Sequence, residues 1–413
     1  MQKAKLTLHS GKKSSKNILE DFDIRAAKKA LGYHKGYIEY KETPLVNLEN
    51  LAKKLGVKKI YVKDESYRFG LNAFKILGGS YAVGTHLANM LGKDISALSV
   101  ELLKSEKIKN ELGNVTFITA TDGNHGRSIA WAANQLNQKA VVYMPKGAVY
   151  ERIKNITDLG ASVNITELNF DDTARLAFEE SKKNNWIMTQ DTTFDGYYDF
   201  PKWCMQGYLT MSYEIYKKLE NQKEKPTHIF IQAGAGSFAG SVVGFFSSVY
   251  GEDHPIITVI EAENCDCYRR TVEANDGKTH KVSGGLETIM AGLSVGEPCS
   301  IGWDVLSNYA DAFAVCNDGI AAKGMRVLAA PKGDDRKIVS GESGAVGLGY
   351  VVELLTDPDM AEMKKILKID ENSTILCFST EGDTDPENYE KIVWDGLYPI
   401  KKREEENKQS KRQ

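Results

Sequence analysis

The sequence has no run of 18 apolar residues, so nothing in it reads as a transmembrane helix. It has no large excess of either charge: 53 Lys+Arg stand against 56 Asp+Glu, a net of −3. No global basic field is therefore available to hold nucleic acid or an anionic membrane. Cysteine is scarce, with six in 413 residues, too few for a disulfide framework. Cys265 and Cys267 form a CxC pair without a matching Cys/His pair nearby, so no metal site is expected. The simplest compartment for such a chain is the reducing cytoplasm. The N-terminal segment MQKAKLTLHSGKKSSKN is basic but lacks an apolar h-region, which reads against a secretory signal. No Pro/Gly/Ser linker, low-complexity stretch or repeat interrupts the chain. Two domains, which this length invites, must then be interleaved or closely joined.

The composition that remains is ordinary for a globular protein, 42% apolar and 26% charged. Residues 401–413, KKREEENKQSKRQ, and the first twenty or so residues read as solvated and frayed. Between them, apolar runs at 115–120, 139–144, 162–168, 186–190, 228–232, 256–261, 312–316 and 374–379 read as strands. They alternate with helical patterns at 126–135, 149–159, 173–183, 237–250, 318–328 and 344–355, and with a long amphipathic segment at 203–219. Such alternation predicts an α/β fold with parallel sheets flanked by helices. In that class, ligands bind at the loops beyond the carboxyl ends of the strands.

Three such loops carry chemistry. In Ile231-Gln-Ala-Gly-Ala-Gly-Ser-Phe-Ala-Gly240, a strand ends, a small-residue turn comes next and a helix begins. Small residues let backbone N–H groups approach a phosphate, and a helix N-terminus favours its charge. The plain alternative is a tight turn. The spacing is GxGxxxG rather than GxGxxG, yet Glu261 ends the next strand where a ribose-binding acid would stand, so a dinucleotide remains open. In the second loop Lys75 stands among Ala73, Phe74, Ile76 and Leu77, just before a predicted helix. An amine in apolar surroundings becomes nucleophilic, whereas a surface lysine on a first helical turn does nothing of the kind. In the third loop Asp122, Asn124 and His125 cluster between a strand and a helix, as site residues or as caps and turn formers.

Together the loops form a recognisable set. A lysine in Asn72-Ala-Phe-Lys75, then Gly123-Asn-His-Gly126, then a glycine-rich βα loop, resembles the fold-type II pyridoxal-phosphate enzymes. The threonine and serine dehydratases, tryptophan synthase β chain and cysteine synthases are of that type. The blocks Phe69-Gly-Leu-Asn-Ala-Phe-Lys75, Thr121-Asp-Gly-Asn-His-Gly-Arg127, Gln190-Asp-Thr192, Ala291-Gly-Leu-Ser-Val-Gly-Glu-Pro298, Ser340-Gly-Glu-Ser-Gly-Ala345 and Phe378-Ser-Thr-Glu-Gly-Asp-Thr-Asp385 resemble the diaminopropionate ammonia-lyases in particular. Ordinary dehydratases carry a small residue at Asp122 and Gly-Gly-Asn at Glu381-Gly-Asp383.

The resemblance implies a two-domain, tryptophan synthase β-like fold with the cofactor in the interdomain cleft. Residues 84–205 would form a small inserted domain, and 1–83 with 206–413 the large one. The assembly would be a homodimer acting on a small amino acid. Lys75 would hold pyridoxal 5′-phosphate as a Schiff base and then act as the base for the L substrate. Asp122 would serve the D enantiomer, and Asp191 would bind the β-ammonium leaving group. Gly234, Ala235, Gly236, Ser237, Phe238 and Gly240 would bind the phosphate. Asn124 would bond the 3′-oxygen, and Thr380, or else Ser379, would face the pyridine nitrogen. The expected reaction is α,β-elimination of 2,3-diaminopropionate, D or L, to pyruvate and two ammonia, in amino acid catabolism. Threonine/serine dehydratase-like elimination is the near alternative. A nucleotide-dependent oxidoreductase and a silent binding paralogue are the distant ones. His125, Arg127, Tyr67, Arg68, Tyr197 and Tyr198 read as packing, bracing or entrance residues. Glu342 and Asp383 would support the pocket indirectly.

Overall fold

The computed structural model describes residues 4–9, 11, 17–121 and 123–400. Eleven strands form two sheets. They run β1 Ala4–Leu8, β2 Leu45–Asn47, β3 Lys59–Asp64, β4 Thr116–Ala120, β5 Lys139–Met144, β6 Ser162–Ile165, β7 Ile187–Met188, β8 His228–Gln232, β9 Ile256–Ala262, β10 Ala312–Cys316 and β11 Thr374–Ser379. The larger sheet has the order β1-β10-β9-β8-β11-β3-β2, and the smaller β6-β5-β4-β7. The smaller sheet is wholly parallel. The larger is parallel across β10-β9-β8-β11-β3.

Composition explains the order. β8, β10 and β11 are buried at every residue. Each reads as a short apolar run without alternation, as a parallel strand covered on both faces must. β6, with two of its four residues being polar and exposed, lies at an edge. The helices cover both faces of this arrangement.

One expectation needs correction. Ala4–Leu8 is not frayed: it pairs antiparallel with β10, from Ala4 opposite Cys316 to Leu8 opposite Ala312. Only Ala4 of its five residues is buried, so the strand leaves too weak a pattern to separate from its polar neighbours. The larger sheet is parallel-rich, as expected, with β2 pairing antiparallel with β3 at the other edge. Residues 401–413 lie outside those described.

The boundaries 83/84 and 205/206 fall inside the helices Lys75–Met90 and Asp199–Asn221. These helices pack side by side, with the rings of Phe74 and Tyr208 at 4.8 Å. The segment expected at 203–219 is thus the middle of a longer helix, buried between other helices. Among the described residues no helix is long and apolar enough to cross a membrane.

Candidate functional site

A cavity of about 890 Å³ opens where the strands of both sheets point their carboxyl ends. Its wall includes Lys75, Asn124, Asp191, the segment 233–238 and Thr380. Residues from β3's side of the chain, from the smaller sheet and from the β8 and β11 ends therefore meet at one place.

The loop after β8 is shaped from behind. Tyr268 Oη donates to the Ala235 carbonyl at 2.5 Å, and the Cys299 N–H donates to the same oxygen at 2.7 Å. Gly236 has φ +91°, a backbone shape that L side chains resist, and a Cβ there would collide with the Tyr268 hydroxyl. A Cβ on Gly234 would lie 2.8 Å from the Gly292 carbonyl. Among the described residues, no hydrogen bond uses the N–H groups of Gly234, Ala235 or Gly236. They sit at the N-terminus of the helix Ser237–Tyr250, where unsatisfied donors and the helix dipole both favour an anion. That donor set fits a phosphate without needing a cation. Ser237 and Phe238 join the wall. Gly240 does not: it lies in the helix, packed against Gly302 and Met205.

Lys75 opens its helix, with the Phe74 N–H bonded to the Thr380 carbonyl at 3.0 Å. The Lys75 ammonium lies 5.6 Å from the Phe74 ring centroid. The amine itself is ion-paired with Asp191. Burial pushes the Asp191 carboxyl up, but the charges of His125 and Lys75 outweigh it and hold the group well below the usual carboxylate range. His125 Nδ1 is 3.8 Å from Asp191 Oδ2, while its Nε2 donates to the Thr189 carbonyl at 2.6 Å. Histidine here is both the loop brace expected and a neighbour of the carboxylate.

Asp191 reaches the cavity because β7 stops after two residues. Gln190 continues the sheet only with its side chain, whose Oε1 accepts from Thr119 Oγ1 at 2.9 Å and from the Ala120 N–H at 3.2 Å. Tyr197 Oη donates to the carbonyls of Met188 and Gln190, at 3.0 and 3.1 Å, and braces the segment. Asp191 is thus freed from the ladder, and its side chain turns into the cavity instead of capping the next turn.

Asn124 Nδ2 donates to Glu381 Oε2 at 2.7 Å. Gln232 Nε2 approaches Thr380 Oγ1 at 3.3 Å. Thr380, not Ser379, stands on the cavity wall; Ser379 is buried behind it and bonds Ser340 Oγ at 2.8 Å. Arg127 donates to the Leu71 carbonyl at 2.8 Å, and Asp383 accepts from Asn72 Nδ2 at 3.0 Å, so both brace loops. Burial and then the charge of Glu381 push the Glu342 carboxyl up to about 7. Arg68 is buried in an ion network with Glu65 and Glu214 rather than placed at an entrance. Asp122 lies outside the described residues.

Glu261 is no ribose ligand. Its carboxyl accepts the N–H groups of Tyr268 and Arg269, both at 2.8 Å, and starts the helix Cys267–Ala274. The residue to which sequence reasoning gave no role is Glu381, noted only as part of a block and of the Glu381-Gly-Asp383 departure from ordinary dehydratases. The signal available was its position one residue beyond Thr380 at the end of β11.

The family model described as pyridoxal-phosphate dependent enzyme matches residues 38–370. The chain is 48% identical over 368 residues to diaminopropionate ammonia-lyase of Salmonella typhimurium, covering 89% of this chain and 91% of that one. It is 45% identical over 381 residues to diaminopropionate ammonia-lyase of Escherichia coli K12, covering 92% and 94%. The crystal structure of the holo Escherichia coli enzyme is similar with a TM-score of 0.89 at 41% identity, covering 97% of this chain and 99% of that one.

Proposed function

The chain belongs to the pyridoxal-phosphate-dependent enzymes and, within them, to the diaminopropionate ammonia-lyases, and from that premise we infer its reaction. It eliminates ammonia from 2,3-diaminopropionate and yields pyruvate and a second ammonia. The observation that carries the reading is the pairing of Lys75 with Asp191 in the cavity beside the open N–H groups of Gly234–Gly236.

Bound pyridoxal phosphate supplies an electron sink conjugated to the substrate's Cα. The protein's part is to place groups around it. Lys75 anchors the cofactor through its amine and, when free, takes the Cα proton of the L substrate. Asp122 takes the proton from the opposite face, for the D substrate. The electron pair of the broken Cα–H bond becomes the Cα=Cβ double bond as the Cβ–N bond breaks. The β-nitrogen leaves with its own pair as ammonia. The aminoacrylate so formed takes up water, giving pyruvate and the second ammonia.

Asp191 binds the substrate's β-ammonium and orients it as leaving group. It already pairs with the Lys75 ammonium in the cavity, the same kind of charge as the substrate's β-ammonium. Gly234, Ala235, Gly236, Ser237 and Phe238 hold the phosphate. Asn124 gives an N–H to the 3′-oxygen. Thr380 turns a hydroxyl toward the ring nitrogen. A hydroxyl does not keep that nitrogen protonated as a carboxylate would, so the sink is mild and expulsion of a β-substituent is favoured over other fates.

In this reading residues 84–205 form a small unit that closes over the substrate and keeps water from the reacting carbon. The assembly in this reading is a homodimer. The cytoplasm suits the chain's six buried free thiols. The test is a pyruvate assay of the protein loaded with pyridoxal phosphate, on D- and L-diaminopropionate beside serine and threonine. Both diaminopropionate enantiomers should exceed serine and threonine in kcat/KM. Threonine turning over faster than either would replace this reading with a dehydratase.

A further inference from the structure

Glu381 lies on the cavity wall and is 6% exposed. None of the roles above uses it. Its Oε2 accepts from Asn124 Nδ2 at 2.7 Å and from Thr384 Oγ1 at 3.2 Å. Its backbone is held on two sides. It bridges to Ala73, two residues before Lys75, and its carbonyl accepts the Gly341 N–H at 3.0 Å. The carboxylate is therefore fixed against the loop that carries Lys75 and against the amide of Asn124 at once.

A carboxylate only accepts hydrogen bonds. Facing the Asn124 amide, it admits the nitrogen end and repels the oxygen end. An amide by itself has no such preference, because its two ends are nearly equal in size and shape. One N–H of Nδ2 is used by Glu381, and the second is left for an oxygen in the cavity. A charged acceptor behind the amide also polarises it, which strengthens that second donor. With the amide reversed, Oδ1 would replace the donor and could give nothing to a cofactor oxygen.

We propose that Glu381 is a positioning residue for the elimination, holding the Asn124 amide so that an N–H points at the cofactor's 3′-oxygen. The inference rests on the reading that Asn124 binds the cofactor there. It acts through Asn124, and so its removal and the removal of the Asn124 amide are one loss, counted once.

The test is a titration of pyridoxal phosphate into the full-length apoprotein, read out as affinity and as the absorption maximum of the bound cofactor. The variants are Glu381→Ala, Glu381→Gln, Asn124→Ala and the Glu381→Ala/Asn124→Ala pair, with thermal transitions recorded for each. Glu381→Ala should weaken affinity about tenfold and move the absorption maximum, and Asn124→Ala should do the same. The double variant should fall within about threefold of Asn124→Ala alone. Glu381→Gln, whose amide can donate to Oδ1 as well as accept from Nδ2, admits both orientations of Asn124 and should stay about as weak as Glu381→Ala. Several results would overturn the proposal. Glu381→Ala could match the parent while Asn124→Ala does not. The two losses could multiply in the double variant. Glu381→Gln could bind the cofactor as tightly as the parent, which would show that an acceptor-only group does not set the amide. Should Asn124→Ala itself match the parent in affinity and spectrum, the placement of the cofactor on Asn124 falls, and the role of Glu381 with it.

Discussion

Ser237 Oγ donates to the backbone carbonyl of Asp191 at 2.6 Å. Ser237 opens the helix behind the glycine loop, and Asp191 ends the segment that leaves the smaller sheet. One hydroxyl thus ties the glycine-loop end of the cavity to the backbone of the residue whose carboxylate pairs with Lys75. Ser237→Ala should weaken pyridoxal phosphate affinity about tenfold and lower kcat/KM for diaminopropionate by at least as much. Cofactor titration and steady-state assay check this; an unchanged affinity and rate would show that the tie serves neither end.

Asp191 matters for charge as well as position. Asp191→Asn keeps the shape and loses the negative charge proposed to bind the β-ammonium. Turnover of diaminopropionate should drop about 100-fold in kcat/KM, since hydrogen bonds to charged groups are worth roughly 1.5–3 kcal/mol. Elimination from serine, whose β-hydroxyl is neutral, should fall by less than about tenfold. Equal losses on the two substrates would remove Asp191 from the leaving-group site.

In the proposed reaction Lys75 serves the L substrate and Asp122 the D substrate. Asp122→Asn should cut kcat on D-diaminopropionate by about 100-fold or more, the range for losing a positioned acid or base, and largely spare the L substrate. Rates on both enantiomers decide it, and matched losses would contradict the assignment of faces.

Glu261 predicts a pH dependence of stability. Burial pushes its carboxyl from 4.5 up to about 8, against the pull of the Tyr268 and Arg269 N–H groups. The folded protein then keeps a proton that the unfolded chain releases. Its contribution to stability is full below pH 4.5 and is lost as pH rises toward about 8. The slope is at most about 1.4 kcal/mol per pH unit. Glu261→Gln, which has no such proton, should show a flatter stability curve through that window. Denaturant melts of both proteins across it provide the check, and parallel curves would contradict the assignment.

Much of the fold could be read from residue type alone. β5, β8, β10 and β11 end where their apolar runs end, because central parallel strands need no alternation and are bounded by polar or small residues. β3 was harder, since Lys59-Ile-Tyr-Val-Lys-Asp64 carries charges that belong on a surface. Its Lys63 is buried and paired at 2.6 Å with Glu214, a partner 151 positions away that no local pattern reveals. The site divides the same way. The glycine loop is local, so its small residues and helix start are visible in the sequence as a candidate anion site. The meetings of Lys75 with Asp191 and of Asn124 with Glu381 join segments 116 and 257 positions apart, and only the folded chain shows them. Gly240 was misplaced because spacing along a loop does not tell which glycine faces the ligand and which packs a helix.

The account depends most on the amine of Lys75. Borohydride reduction of the protein loaded with pyridoxal phosphate, and then peptide mapping, should place the pyridoxyl label on Lys75 and abolish turnover. Label on a different lysine, or no label with activity retained, would contradict it.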